Sequence, residues 1–108
     1  MQHGSDFTPY YAVIFTTTRT EVDNGYHEMA ARMEELAAEQ EGYLGIESAR
    51  NESSRVGITV SYWRDLESIK KWRENAEHQI ARKLGKEKWY ANYQLRICKV
   101  EREYGFEA

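Results

Sequence analysis

Apolar residues fall into short runs along this chain, and their spacing switches between that of a strand and that of a helix. The run Tyr10-Tyr11-Ala12-Val13-Ile14-Phe15-Thr16-Thr17-Thr18 is aromatic, aliphatic and β-branched and follows Pro9, which predicts a first strand. Asp23-Asn24-Gly25 punctuates the chain after it. Tyr26, Met29, Ala30, Met33, Leu36, Ala37 and Gln40 then recur three and four apart between charged residues, the stripe of an amphipathic helix. Gly42 is placed to end that helix. Tyr43 to Ser48 reads as a second strand, Arg50 to Arg55 as a polar hairpin loop, and Gly57 to Trp63 as a third strand. Asp65, with Ser68 three residues on, is a natural N-cap for a second helix carrying Leu66, Ile69, Trp72 and Ala76. Ile80 and Leu84 continue that stripe, although Asn75 could equally start a separate short helix. Gly85 breaks the pattern, and Asn92 to Tyr104 reads as a fourth strand.

The order is therefore β-α-β-β-α-β, the split βαβ arrangement of ferredoxin-like α+β folds. Right-handed crossovers place both helices on one face of a single antiparallel sheet. Such a sheet should alternate apolar and polar positions, and these strands do not alternate cleanly. Tyr11, Val13 and Phe15 point one way and Tyr10, Ala12 and Ile14 the other. Tyr62 shares a side with Ile58 and Val60, opposite Trp63. The fourth strand has Tyr93, Leu95 and Ile97 on one parity and Cys98, Val100, Tyr104 and Phe106 on the other, through either a bulge or burial of both faces. Apolar residues on both faces leave a patch that one layer of helices cannot cover, and each ring covered is worth on the order of 2 kcal/mol. The expectation is a homodimer, with the Val100 to Phe106 segment packed on the partner.

Length and composition narrow the class. At 108 residues the chain has room for one domain, placed at 9–106 behind a short tail at 1–8. A net charge of −3 with both signs interspersed, and no basic block, argues against nucleic acid as a partner. The longest apolar run, Tyr10 to Phe15, is far short of the ~20 residues that span a bilayer. Met1-Gln2-His3-Gly4-Ser5-Asp6 lacks the basic and apolar regions of a secretion signal, so the expected location is cytoplasmic. Cys98 is the only cysteine, which excludes an intrachain disulfide, and in a strand it reads as a small buried hydrophobe. No His-Glu-x-x-His, cysteine pair or clustered carboxylates suggest a metal, and no Gly-rich phosphate loop or Gly-x-Ser-x-Gly elbow is present.

The stretch from Val60 to His78, with Tyr62-Trp63-Arg64-Asp65 and Lys71-Trp72-Arg73, resembles the antibiotic biosynthesis monooxygenase (ABM) family of the dimeric α+β barrel superfamily. Glu41-Gly42-Tyr43-Leu44-Gly45, Lys88-Trp89-Tyr90 and Val100-Glu101-Arg102-Glu103-Tyr104-Gly105-Phe106 fit the same group, so the resemblance covers roughly 9–106. It implies a dimeric α+β barrel and is less specific for chemistry. One branch oxidises phenolic or quinone-forming polyketides with oxygen and no bound cofactor. There the resemblance puts a strand-end tryptophan at Trp63, while the helper asparagine and tyrosine positions fall on Thr59 and Ile69. Another branch degrades heme. Trp72 matches its helix tryptophan, but strand one carries no asparagine and the ligating position falls near Arg82.

Among residues able to do chemistry, His78 titrates near neutral pH without special tuning. If Asn75 caps a new helix, His78 lies in its first turn, where the dipole disfavours the protonated form and leaves an imidazole able to take a proton from a phenol or enol. The competing reading is a surface or interface histidine. Trp63, Trp72, Trp89 and Tyr90 could wall a pocket for a flat ligand, or anchor core and interface. Arg64, Arg82 and Arg96 could hold a carboxylate or phenolate. Arg96, between Leu95 and Ile97, stands out, with a salt bridge to a partner carboxylate as its alternative. The leading expectation is a cofactor-independent monooxygenase for a small aromatic or enolic molecule. In it His78, Trp63 and Arg96 are catalytic, and Trp72, Arg82, Trp89 and Tyr90 bind substrate. Two alternatives stand beside it: a heme-binding or heme-degrading protein with His78 as axial ligand, and a non-enzymatic dimeric ligand-binding module.

Overall fold

The apolar run after Pro9 forms the strand around which the rest is arranged. A computed structural model describes residues 8–75 and 88–108. In it β1 (Tyr10–Arg19), α1 (Tyr26–Ala38), β2 (Tyr43–Arg50), β3 (Val56–Trp63), α2 (Leu66–Glu74) and β4 (Tyr90–Val100) build one antiparallel sheet of order β2-β3-β1-β4. β1 lies inside the sheet, pairing with β3 on one side and β4 on the other. The ferredoxin-like α+β reading of the sequence is the observed fold.

Both helices lie on one sheet face, because the apolar cluster is made from Val13, Trp63, Leu36, Ala37, Ile69 and Trp72 together. Val13 and Trp63 come from the same side of β1 and β3, and the other four from the inner stripes of α1 and α2. The spacing of three and four along α1 is what turns Met33, Leu36 and Ala37 inward. α2 starts as its sequence implies. Asp65 Oδ1 accepts the Ser68 backbone N–H at 2.8 Å and the Ser68 hydroxyl at 2.7 Å. It closes at Asn75, whose N–H reaches the Trp72 carbonyl while its own backbone turns extended. The continuation through Ile80 and Leu84 lies outside the described residues. Gly42 holds a φ of +88°, and a Cβ there would collide with the Ser68 side chain, so glycine alone joins α1 to β2 at this point.

Two expectations need correction. β4 stops at Val100, not Tyr104, because Val100 pairs with Tyr10, the first residue of β1, and the ladder has no further partner. The residues beyond it leave the ladder, with Tyr104 and Phe106 largely exposed. Cys98 is exposed, not buried, since it pairs with Ala12 on the face away from the helices. The β1–β4 register shifts only between Thr18 and Arg19, so the mixed parity of β4 is not a bulge within Asn92–Val100. Both faces of the sheet carry apolar side chains.

Candidate functional site

Between the helices and the sheet lies a cavity of about 190 Å³. Its floor is the inner face of the sheet: Val13 and Phe15 from β1, Leu95 from β4 and Ile46 from β2. Thr59 and Ser61 of β3 add two hydroxyls to that floor. One wall is the α1 stripe, with Met29, Ala30 and Met33. Trp72 of α2 forms another, and Trp89 and Tyr90, leading into β4, close the end. The spacing that makes α1 amphipathic and the alternation that makes β1 a strand thus converge on one apolar hollow.

Of the residues singled out in the sequence, Trp72, Trp89 and Tyr90 are brought together around this cavity. Trp89 is buried, and its indole N–H donates to the Asn24 carbonyl at 2.9 Å, which locks the ring against the turn before α1. Trp63 does not line the hollow. It is fully buried beneath it, stacked on Trp72 at 6.1 Å between ring centres, with its indole N–H donating to Ser61 Oγ at 2.9 Å. It bears on the cavity indirectly, through neighbours such as Trp72 and Ser61 that do line it. Arg96 pairs across the ladder with Ile14 and therefore stands on the outer face, on the far side of the sheet from the cavity, where it donates to Gln94 at 2.7 Å. Alternation along β4 dictates this, since Leu95 faces the cavity. Arg64 is exposed and bridges Glu41 and Asp65. His78 and Arg82 lie outside the described residues.

A polar end of the cavity was not apparent from the sequence. Tyr26, the first residue of α1, meets Trp89 and Tyr90 edge to face at 5.9 and 6.1 Å. The Arg19 guanidinium sits over its ring, 3.5 Å from the centre, while an ion pair to Asp23 at 2.6 Å holds Arg19 in place. From the other side Arg50 donates to the Tyr26 hydroxyl at 3.4 Å and to Thr17 Oγ1 at 2.9 Å. Arg50 reaches Thr17 across Gly57: the ladder aligns Arg50, Gly57 and Thr17 in one row on the inner face, and glycine in the middle leaves the path open. Burial pushes the Tyr90 phenol well above the ordinary tyrosine range, helped by Tyr26 beside it and by a hydrogen bond to Tyr26. Tyr90 therefore stays a neutral hydrogen-bonding group and cannot serve as a base. The signal in the sequence was parity: Thr17 and Arg19 share a side with Val13 and Phe15, which placed polar groups on the apolar face.

Among the described residues, the charged ones on the cavity walls are Glu34 and Arg73. Its described lining holds neither histidine nor cysteine for a heme iron, and among the described residues no three His, Cys, Asp or Glu side chains group as a metal site. No described helix is long and apolar enough to cross a membrane.

Known proteins are similar to this chain in sequence or in fold. YqjZ of Bacillus subtilis (strain 168), a protein of uncharacterised function, is 50% identical over 99 residues, spanning 92% of this chain and 86% of YqjZ. The jasmonate monooxygenase ABM of Pyricularia oryzae is 33% identical over 94 residues, 83% of this chain but 43% of that longer protein. The crystal structure of SnoaB, a cofactor-independent oxygenase from Streptomyces nogalater, superposes with a TM-score of 0.75 at 9% identity, covering 89% of this chain and 97% of SnoaB. Rv0793 of Mycobacterium tuberculosis superposes at 0.77 with 10% identity, covering 89% and 99%. At such identities the two structures speak for the fold alone. The profile of the antibiotic biosynthesis monooxygenase family matches residues 9–84, and the chain belongs to that family.

Proposed function

We propose that this protein is a monooxygenase that needs no bound cofactor and oxidises a flat aromatic or enolisable small molecule, working as a homodimer. The observation that carries this reading is the cavity itself, an apolar hollow with an aromatic wall at one side and a small polar end. A substrate of this class supplies its own reducing power. Once it loses a proton, the electron-rich anion passes an electron to oxygen. At a CH2 carbon that becomes a carbonyl, one oxygen atom enters the substrate and the other leaves as water with the two hydrogens of that carbon, which supplies all four electrons. The protein then has to exclude water, orient the ring and accept a proton. Methionines and aromatic rings do the first two. His78 is assigned the third, from its chemistry and its place in the chain after α2. The names of SnoaB and of the fungal relative support an oxygenase reading.

The outer sheet face supports the dimer. Val56, Ile58, Val60, Tyr62 and Ile14 share it, and Ile58 is 46% exposed although it sits in an interior strand. Across this face one ladder row reads Glu47, Val60, Ile14, Arg96, with an acid at one edge and a base at the other. A second copy packed on that row can bring unlike charges together.

The test is oxygen uptake with an anthrone probe. The wild-type protein is expected to consume oxygen and form the quinone, and His78→Ala to lose turnover while keeping its fold. Probe binding with no oxygen uptake would instead mark a ligand-binding module.

A further inference from the structure

We propose that the polar end of the cavity is an oxyanion seat, in which the Tyr26 hydroxyl, backed by Arg50, donates to an anionic oxygen of the ligand. The substrate class is then a flat apolar body bearing a phenolate, enolate or carboxylate oxygen. This deepens the reading above and rests on it for the cavity being the substrate site, not for the oxidation.

Two observations lead here. The first is the valence of the Tyr26 oxygen. A phenol has one proton to give and two lone pairs to accept with. Arg50 directs an N–H at that oxygen from 3.4 Å, and Tyr90 is hydrogen-bonded to the same residue. With Tyr90 as the donor of that bond, the sense that holds the Tyr90 phenol protonated, Tyr26 accepts from both neighbours and has its own proton to give to a ligand. Tyr26 is a cavity wall, so a ligand oxygen can take it. The cation over the ring, Arg19 at 3.5 Å, draws on the same electron density and makes the O–H a stronger donor.

The second is an unmatched charge. Arg19 has Asp23 as its counter-ion. Arg50 has only neutral partners among the described residues: Thr17 Oγ1, the Arg55 carbonyl at 2.9 Å and Tyr26. It is only partly exposed and lies on the inner face of the sheet, where a charge without a counter-ion is costly. An anionic oxygen at Tyr26 would bring it one. Glu34 and Arg73, the charged residues on the remaining described walls, are opposite in sign. Arg50 is a positioning residue here, and Tyr26 the residue that touches the ligand.

Anaerobic calorimetry on the full chain tests this without turnover. The probes are a hydroxynaphthoquinone enolate against neutral naphthoquinone, and naphthoate against naphthamide. Each anion is expected to bind about tenfold more tightly than its neutral counterpart, the size of one hydrogen bond to a charged group. The pair with the larger preference identifies the oxygen as enolate or carboxylate. Tyr26→Phe should abolish the preference and leave the affinity for the neutral probes unchanged, which a merely structural role would not spare. Gly57→Ala should reduce it too, because a Cβ there falls 2.5 Å from the Arg50 guanidinium and must push it aside while its charge remains. Binding of all probes with no anion preference, or a preference that survives Tyr26→Phe, overturns the oxyanion seat and leaves the cavity as a binding site. Failure of every probe to bind overturns both.

Discussion

The Tyr10 hydroxyl donates a 2.6 Å hydrogen bond to Glu103 Oε2, joining residues 93 positions apart and tying the segment after β4 to the start of β1. The other carboxylate oxygen, Oε1, is buried without a partner among the described residues. Burial and the neighbouring carboxylate push the Tyr10 phenol up, so it remains a donor at any working pH. Tyr10→Phe removes that donor and leaves a carboxylate without it, which should cost about 2 kcal/mol in urea unfolding. Tyr10→Phe combined with Glu103→Leu should recover much of the loss, since a buried polar pair is cheaper to delete whole than by half. Equal destabilisation in the single and double variants would show that the pair does not act as one unit.

Asp65 makes a pH-dependent contribution through the cap of α2. Hydrogen bonds from the Ser68 side chain and backbone, then from Arg64, hold its carboxyl down at about 2. The folded chain thus binds this proton less readily than the unfolded one. The contribution is complete above about pH 4 and fades as pH falls toward 2. Asp65→Ala should cost about 1 kcal/mol at neutral pH. The gap between wild type and variant should close on acidification, read from thermal melts across that range. A gap that stays constant to pH 2 would mean the charge contributes nothing.

Trp63 separates packing from binding. Its complete burial against Trp72 and Tyr43 predicts that Trp63→Ala loses about 3–5 kcal/mol, enough to unfold a domain of ordinary stability. Trp63→Phe should be milder, and because residue 63 does not line the cavity the folded variant should bind aromatic probes with affinity close to wild type. Denaturation curves and calorimetry on the same samples read the two effects apart.

The homodimer rests on the outer face. Wild-type protein at micromolar concentration should scatter light as two subunits. Ile58→Asp, at an exposed position in the middle of the apolar patch, should give a folded monomer. Arg96→Glu should weaken association more at low salt than at high salt, since its charge is solvent-exposed within the single chain. A compact wild-type monomer would remove the dimer from the proposal.

Much of this protein is written locally. The order of elements, the Asp65 cap with Ser68 three residues on and the opposite sides taken by Tyr62 and Trp63 are all readable from residues close in sequence, whereas α1 ends at Ala38 and Gly42 serves the turn into β2. Each follows from a helix or strand period or a side chain bonding its own backbone, and such effects need no knowledge of the rest of the chain. The resemblance carried by Val60 to His78 added the family. Tertiary pairing decided the rest. Only the sheet order puts β4 beside β1, so that Tyr90 meets Phe15 and Tyr26, and only the register sets Gly57 between Arg50 and Thr17. The same pairing turned Arg96 away from the cavity while its neighbour Leu95 lines it. Periodicity reports that a side chain alternates; which face then meets the helices is set by hydrogen bonds between residues far apart, and that information lies in no single segment.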